Sequence, residues 1–118
     1  MAFNKAESGS AVVVDVNTGK NVAKKEMQEN FLRVNKEAAE EIARQLRLRN
    51  LSGMVLVDFI NLTSKSAEEE LLKTFRAALQ KDPVPAQLID MTALGLVEVT
   101  RKKIKRPLHE IFPDGLGF

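Results

Sequence analysis

Two apolar runs separated by one long amphipathic stretch constrain this chain more than any other feature. The first, Ala11 to Val14, is continuous and Val-rich, and the second, Met54 to Ile60, stays apolar until Asp58. Between them, from about Lys25 to Arg49, the period changes. Met27, Phe31, Val34, Ala38, Ile42 and Leu46 recur every three or four residues, which predicts a helix with one apolar face. Strand, helix, strand is a crossover, and crossovers favour parallel strands joined in a right-handed sense. Because the first run does not alternate apolar with polar residues, its strand is expected to be covered on both faces.

The rest of the chain extends this pattern. Glu29, Arg33, Lys36, Glu40 and Arg44 form the solvated side of the first helix, with Glu29–Arg33 and Glu40–Arg44 spaced for pairing. Arg44, Arg47 and Arg49 complement its negative end, and "NLSG" stops it. Ser66 and Glu69 suggest a capping box that opens a second helix, with Leu71, Leu72, Phe75, Ala78 and Leu79 as its inner face. Pro83 and Pro85 end that helix. "AQLIDM" and "LGLVEVT" are two further strand candidates; the latter is ambiguous, being short, with Gly95 a potential break and Glu98 fitting either class. Residues 104–118 have no clear period and are expected to form an irregular, basic-to-apolar tail. The predicted fold is a single α/β domain over residues 1–118. Its small sheet is mainly parallel or mixed, in strand-helix-strand-helix-strand order, with the helices packed on it.

Composition excludes several classes of function. With 118 residues, 44% hydrophobic and 29% charged, the chain has ordinary globular composition and can bury one modest core. No apolar run approaches a membrane span, and "MAFNKAESGS" lacks the apolar middle of a signal peptide. The absence of cysteine removes disulfides and thiolate zinc sites and fits a reducing cytoplasm. A single histidine, His109, argues against a Ser-His or Cys-His pair. "NTGK" lacks the other residues of a phosphate-binding P-loop. Net charge is only +2, but Arg101, Lys102, Lys103, Lys105 and Arg106 crowd into six residues. Such a cluster suits either a phosphate surface or a solvated tail, and charge alone favours the tail. Phe31, Phe59 and Phe75 are expected in the core, although Phe59 is also placed to stack a base.

Each apolar run carries an acid at or near its end, Asp15 and Asp58. In open α/β sheets, sites gather at the carboxyl ends of strands, and neighbouring strands lie about 5 Å apart. Asn17 falls on the same side as Asp15 if the chain stays extended. Two carboxylates and an amide oxygen are hard ligands that favour Mg²⁺ or Mn²⁺ over zinc. An ion held there would polarise a phosphoryl oxygen and acidify a bound water. The plainer alternatives are an Asx turn at Asp15 and a loop acid before a helix at Asp58. Asp90, at the end of the third apolar run, is a weaker candidate.

The stretch "NKEAAEEIARQLRLRNLSGMVLVDFINL", with "VVVDVNTGK" before it and "LGLVEVTRKK" after it, resembles the catalytic core of the ribonuclease E/G family. The match runs from about Ala11 to Lys103. It implies the family's DNase I-like subdomain, an α/β unit that holds a catalytic magnesium. Asp15 and Asp58 would then be the metal carboxylates, 43 residues apart as in the family pattern, and Asn17 the supporting amide near the metal and its water. Asn61 replaces a common second aspartate, Ser52 replaces a frequent glycine, and the family does not usually place an acid at Asp90, which therefore stays outside the expected site. No segment resembles the family's S1-type RNA-binding domain, its pocket for RNA 5′ ends or its cysteine zinc link. An excised catalytic subdomain or a short relative is expected. The implied function is a Mg²⁺-dependent (or Mn²⁺-dependent) endoribonuclease of RNA processing and decay, cutting single-stranded RNA to leave 5′-phosphate and 3′-hydroxyl ends. Arg101, Lys102 and Lys103 would lie on the RNA, and a homo-oligomer is left open for the full-length protein. Two other readings stay open: a non-catalytic RNA-binding or assembly module, and a nuclease acting on DNA.

Overall fold

The crossover forms where the change of period places it. In the computed structural model, which describes residues 2–5, 11–16, 25–92 and 95–103, β2 (Ala11–Asp15) and β3 (Gly53–Asp58) are parallel neighbours joined through α1 (Lys25–Leu48). After β3 come α2 (Lys65–Leu79), β4 (Ala86–Met91) and β5 (Val97–Arg101), and β1 (Ala2–Lys5) precedes them all. The sheet has five strands in the order β1-β2-β3-β5-β4. Only β2–β3 is parallel; β1–β2, β3–β5 and β4–β5 are antiparallel. The architecture is therefore α/β with a mixed sheet. Both C-terminal strand candidates are strands, the ambiguous one because β5 inserts between β3 and β4 and buries Val97 and Val99. The sequence reading did not identify β1. Four residues with one aromatic fall below a strand signature, and antiparallel pairing with β2 supplies the order that local propensity lacks.

One face of the sheet makes the core. Val12, Val14, Val55, Val57, Leu88, Val97 and Val99 pack against Ala39, Ile42 and Leu46 of α1 and Leu71, Phe75 and Leu79 of α2. Truncating a fully buried member such as Ile42 to alanine is worth about 2–5 kcal/mol of stability. The opposite face is not covered by the described residues: Val13 and Leu56 are half-buried, and Met54 and Ile89 are exposed. This corrects the expectation that the Ala11–Val14 strand is buried on both sides. Burial alternates along β2 and β3 even though hydrophobicity does not.

Helix details also depart from the pattern. The buried stripe of α1 runs through Asn35, Ala38, Ala39, Ile42, Ala43 and Leu46, whereas Val34 is 40% exposed. Arg44 pairs with Glu41 at 3.0 Å rather than with Glu40, and Arg33 donates to Asn30 Oδ1. α1 ends in a Schellman motif: Leu51 N–H donates to Leu46 C=O and Asn50 N–H to Arg47 C=O, with Asn50 at φ 50°. The N-cap of α2 is Ser64, whose side chain accepts from Ala67 N–H, two residues before the expected cap at Ser66. Among the described residues no helix is long and apolar enough to cross a membrane. The 104–118 tail and His109 lie outside the described residues.

Candidate functional site

Asp15 and Asp58 are direct partners across the parallel β2–β3 pair. Val14 and Val57 face the helices, so the pleat turns both aspartates to the open face, at the carboxyl ends of their strands. Val16 N–H donates to Asp58 C=O at 3.0 Å, carrying the pairing one step past the strand end. Burial, and next the charge of Asp15, push the Asp58 carboxyl above its ordinary value. Among the described residues no cationic side chain pairs with either acid. Two carboxylates this close favour a cation between them.

The donor set suits a hard divalent ion that keeps most of its waters. Among the described residues no group of three or more His, Cys, Asp or Glu could hold a metal. Mg²⁺ is commonly held by only one or two carboxylates, with water and substrate phosphate completing the shell. Asn17, the third expected ligand, lies outside the described residues. Asp90 is on β4, separated from β3 by β5, and its Oδ1 accepts from Met91 N–H at 2.7 Å. It stands apart from the pair.

A cavity of about 210 Å³ opens beside Asp58, lined also by Asn61, Leu62, Glu68, Leu71 and Met91. It has an apolar wall and a polar rim, and of the two acids only Asp58 lines it. Phe59 turns into the core, where its ring meets Phe75 edge-on at 5.7 Å.

The basic cluster behaves differently from its sequence reading. Arg101 is only 3% exposed. Its Nε and Nη2 donate to Asp82 at 2.7 and 3.3 Å, and its Nη1 to Asn50 Oδ1 and Leu51 C=O at 3.0 and 2.8 Å. A guanidinium spent in this way is not offered to RNA, so Arg101 is removed from the RNA-contact set. Lys102 and Lys103 are exposed. They follow Arg101, which pairs with Gly53 at the far end of β3 from Asp58. At about 3.3 Å per residue, the acids and the basic segment sit roughly 17 Å apart, at opposite ends of the sheet.

Sequence reasoning missed Asn35. It is fully buried on α1, and its amide binds both backbone groups of Ile60. The available signal was a polar residue at core spacing, between Phe31 or Leu32 and Ala38 or Ala39.

The profile of the ribonuclease E/G family matches residues 3–104. The chain belongs to the ribonuclease E/G family. It is 44% identical over 102 residues to a ribonuclease E of Nostoc sp. and 43% identical over 100 residues to one of Synechocystis sp.; these alignments cover 86% and 85% of this chain. It is 36% identical over 105 residues to ribonuclease G of Escherichia coli, covering 89% of the chain. The matched region spans only 15% of each ribonuclease E and 22% of the ribonuclease G.

Proposed function

We propose that this ribonuclease E/G-family chain is the metal-binding catalytic subdomain of an endoribonuclease acting on single-stranded RNA. The observation that carries the proposal is the in-register pair Asp15 and Asp58 at the carboxyl ends of parallel neighbours. These two side chains would hold Mg²⁺, or Mn²⁺ in its place, with Asn17 as a supporting amide. When bound, the ion supplies Lewis-acid polarisation of the phosphoryl oxygen and an acidified water. Within the chain, the Val16–Asp58 hydrogen bond orients the acid-bearing peptide, and the cavity beside Asp58 would take part of a flanking nucleotide. Hydrolysis by water at phosphorus, with cleavage of the P–O3′ bond, leaves a 5′-phosphate on one fragment and a 3′-hydroxyl on the other. Lys102 and Lys103, at the far end of the sheet, would meet phosphates remote from the cut.

Paramagnetic NMR tests the ion: Mn²⁺ should first broaden resonances of Asp15, Asp58 and their neighbours. Broadening centred elsewhere would dismiss the site. The alternative reading is a non-catalytic RNA-binding or assembly module that keeps the fold. Metal-dependent cleavage that disappears with Asp15→Asn separates the two. RNA binding that is indifferent to that change, with no cleavage by the unaltered chain, supports the module.

A further inference from the structure

Two amide side chains on α1 grip the chain just beyond Asp58. β3 ends at Asp58, yet both backbone groups of Ile60 are satisfied. Ile60 N–H donates to Asn35 Oδ1 at 3.0 Å, and Asn35 Nδ2 donates to Ile60 C=O at 2.9 Å. Asn35 therefore does for Ile60 what a neighbouring strand would do. Seven residues earlier on the same helix, Gln28 Oε1 accepts from Thr63 N–H at 2.9 Å and from the Thr63 hydroxyl at 3.3 Å. Gln28 Nε2 adds a long 3.5 Å contact to Asn61 C=O. Seven helical residues rise about 10 Å, and three extended residues also span about 10 Å. The two amides thus match the length of the 60–63 segment, which runs antiparallel to the helix.

Asn35 is a poor choice on packing grounds alone. Asparagine is a weaker helix former than leucine, and a fully buried amide is unfavourable unless its hydrogen bonds are met. Leucine at this point of the stripe would simply extend the core. What asparagine adds is the hold on Ile60. The peptide of Asp58 is consequently braced from three directions. β2 binds its carbonyl through Val16, α1 binds Ile60, and Phe59 between them packs against Phe75 of α2. Bracing matters here because two neighbouring carboxylates repel each other before any cation arrives.

We infer that Asn35 and Gln28 are positioning residues for the acid pair, holding residues 60–63 so that the Asp58 carboxylate stays opposite Asp15. The inference rests on the metal-binding reading proposed above. Groups that orient metal ligands typically contribute 10–100-fold to metal affinity.

The test is a Mn²⁺ titration of the whole chain, followed by electron paramagnetic resonance of the free ion, at a temperature where circular dichroism shows each variant folded. Asn35→Ala should weaken binding at least about ten-fold, and Gln28→Ala by a smaller but measurable factor. Asp82→Asn serves as the control, because it removes the negative charge from a buried ion pair at the opposite end of the sheet and should leave Mn²⁺ affinity unchanged. Unchanged affinity in both amide variants overturns the positioning role while leaving the metal site standing. An equal loss in Asp82→Asn also overturns it, since general instability would then be the cause. If the unaltered chain binds no Mn²⁺ that Asp15→Asn removes, the metal reading falls and the positioning role falls with it. Should Asn35→Ala fail to fold, Gln28→Ala decides alone: weakened binding supports the inference and unchanged binding ends it.

Discussion

Asp58 is disfavoured as an anion first by partial burial and then by Asp15, and both raise its carboxyl above the ordinary 3.8. The sign of the stability effect follows. The folded state holds this proton more tightly than the unfolded chain does, so the contribution is full below 3.8 and is lost as pH rises through the raised value. Asp58→Asn is expected to remove that decline. Near neutral pH its thermal stability should match the unaltered chain within about 0.5 kcal/mol, or slightly exceed it, while Mn²⁺ binding should disappear and, in the full-length context, RNA cleavage with it. Calorimetry across pH, paired with a cleavage assay, reads both outcomes. A structural aspartate would behave in the opposite way, losing roughly 1–3 kcal/mol with its hydrogen bonds. The acid pair was legible in the sequence because each aspartate stands at or near the end of an apolar run. Arg101 was misread because a run of cations does not show which one is buried.

Elements meet at the end of the sheet remote from the acids. The Arg101 guanidinium joins β5 to the α2–β4 turn through Asp82 and to the C-terminus of α1 through Asn50 and Leu51. Three residues in two segments are held by one side chain, and its pair with Asp82 is almost wholly buried. Removing one partner leaves an uncompensated charge, so Asp82→Ala is expected to lower stability by about 3–5 kcal/mol, measured by urea denaturation. At the other end of α2, Ser64→Ala should cost about 0.5–1 kcal/mol through loss of the cap, and Ser66→Ala should cost less. If the order is reversed, the cap belongs to Ser66 as the sequence motif suggested. That motif misplaced the start because two serines stand within three residues, and the backbone turn chose between them. β1 escaped notice for a related reason: its order comes from pairing with β2 rather than from its own four residues.

Among the described residues, the acid pair and the two exposed lysines lie at opposite ends of one sheet. Asp15 and Asp58 lie at one end of the β2–β3 pair, while Lys102 and Lys103 follow the strand that leaves at the other. If both lysines contact phosphate, the double change Lys102→Glu, Lys103→Glu should reduce the logarithmic salt slope of RNA binding by about 1.4. Mn²⁺ affinity should not change, because the acids are roughly 17 Å away. An unaltered salt slope would return both lysines to the solvated reading.

The crossover, the two helices and the presence of an acid at the end of each central strand follow from local pattern, since the periods of helix and strand are written along the chain. Which face is covered does not, because Val13 and Leu56 are as apolar as Val14 and Val57, and only packing against α1 and α2 tells them apart. The same holds for side-chain roles. Asn35 and Arg101 are ordinary polar letters in sequence, but they become a strand substitute and a three-way clasp when contacts 25 and 51 residues distant close around them. Burial and long-range hydrogen bonding depend on partners remote along the chain, and only the tertiary structure brings those partners within reach.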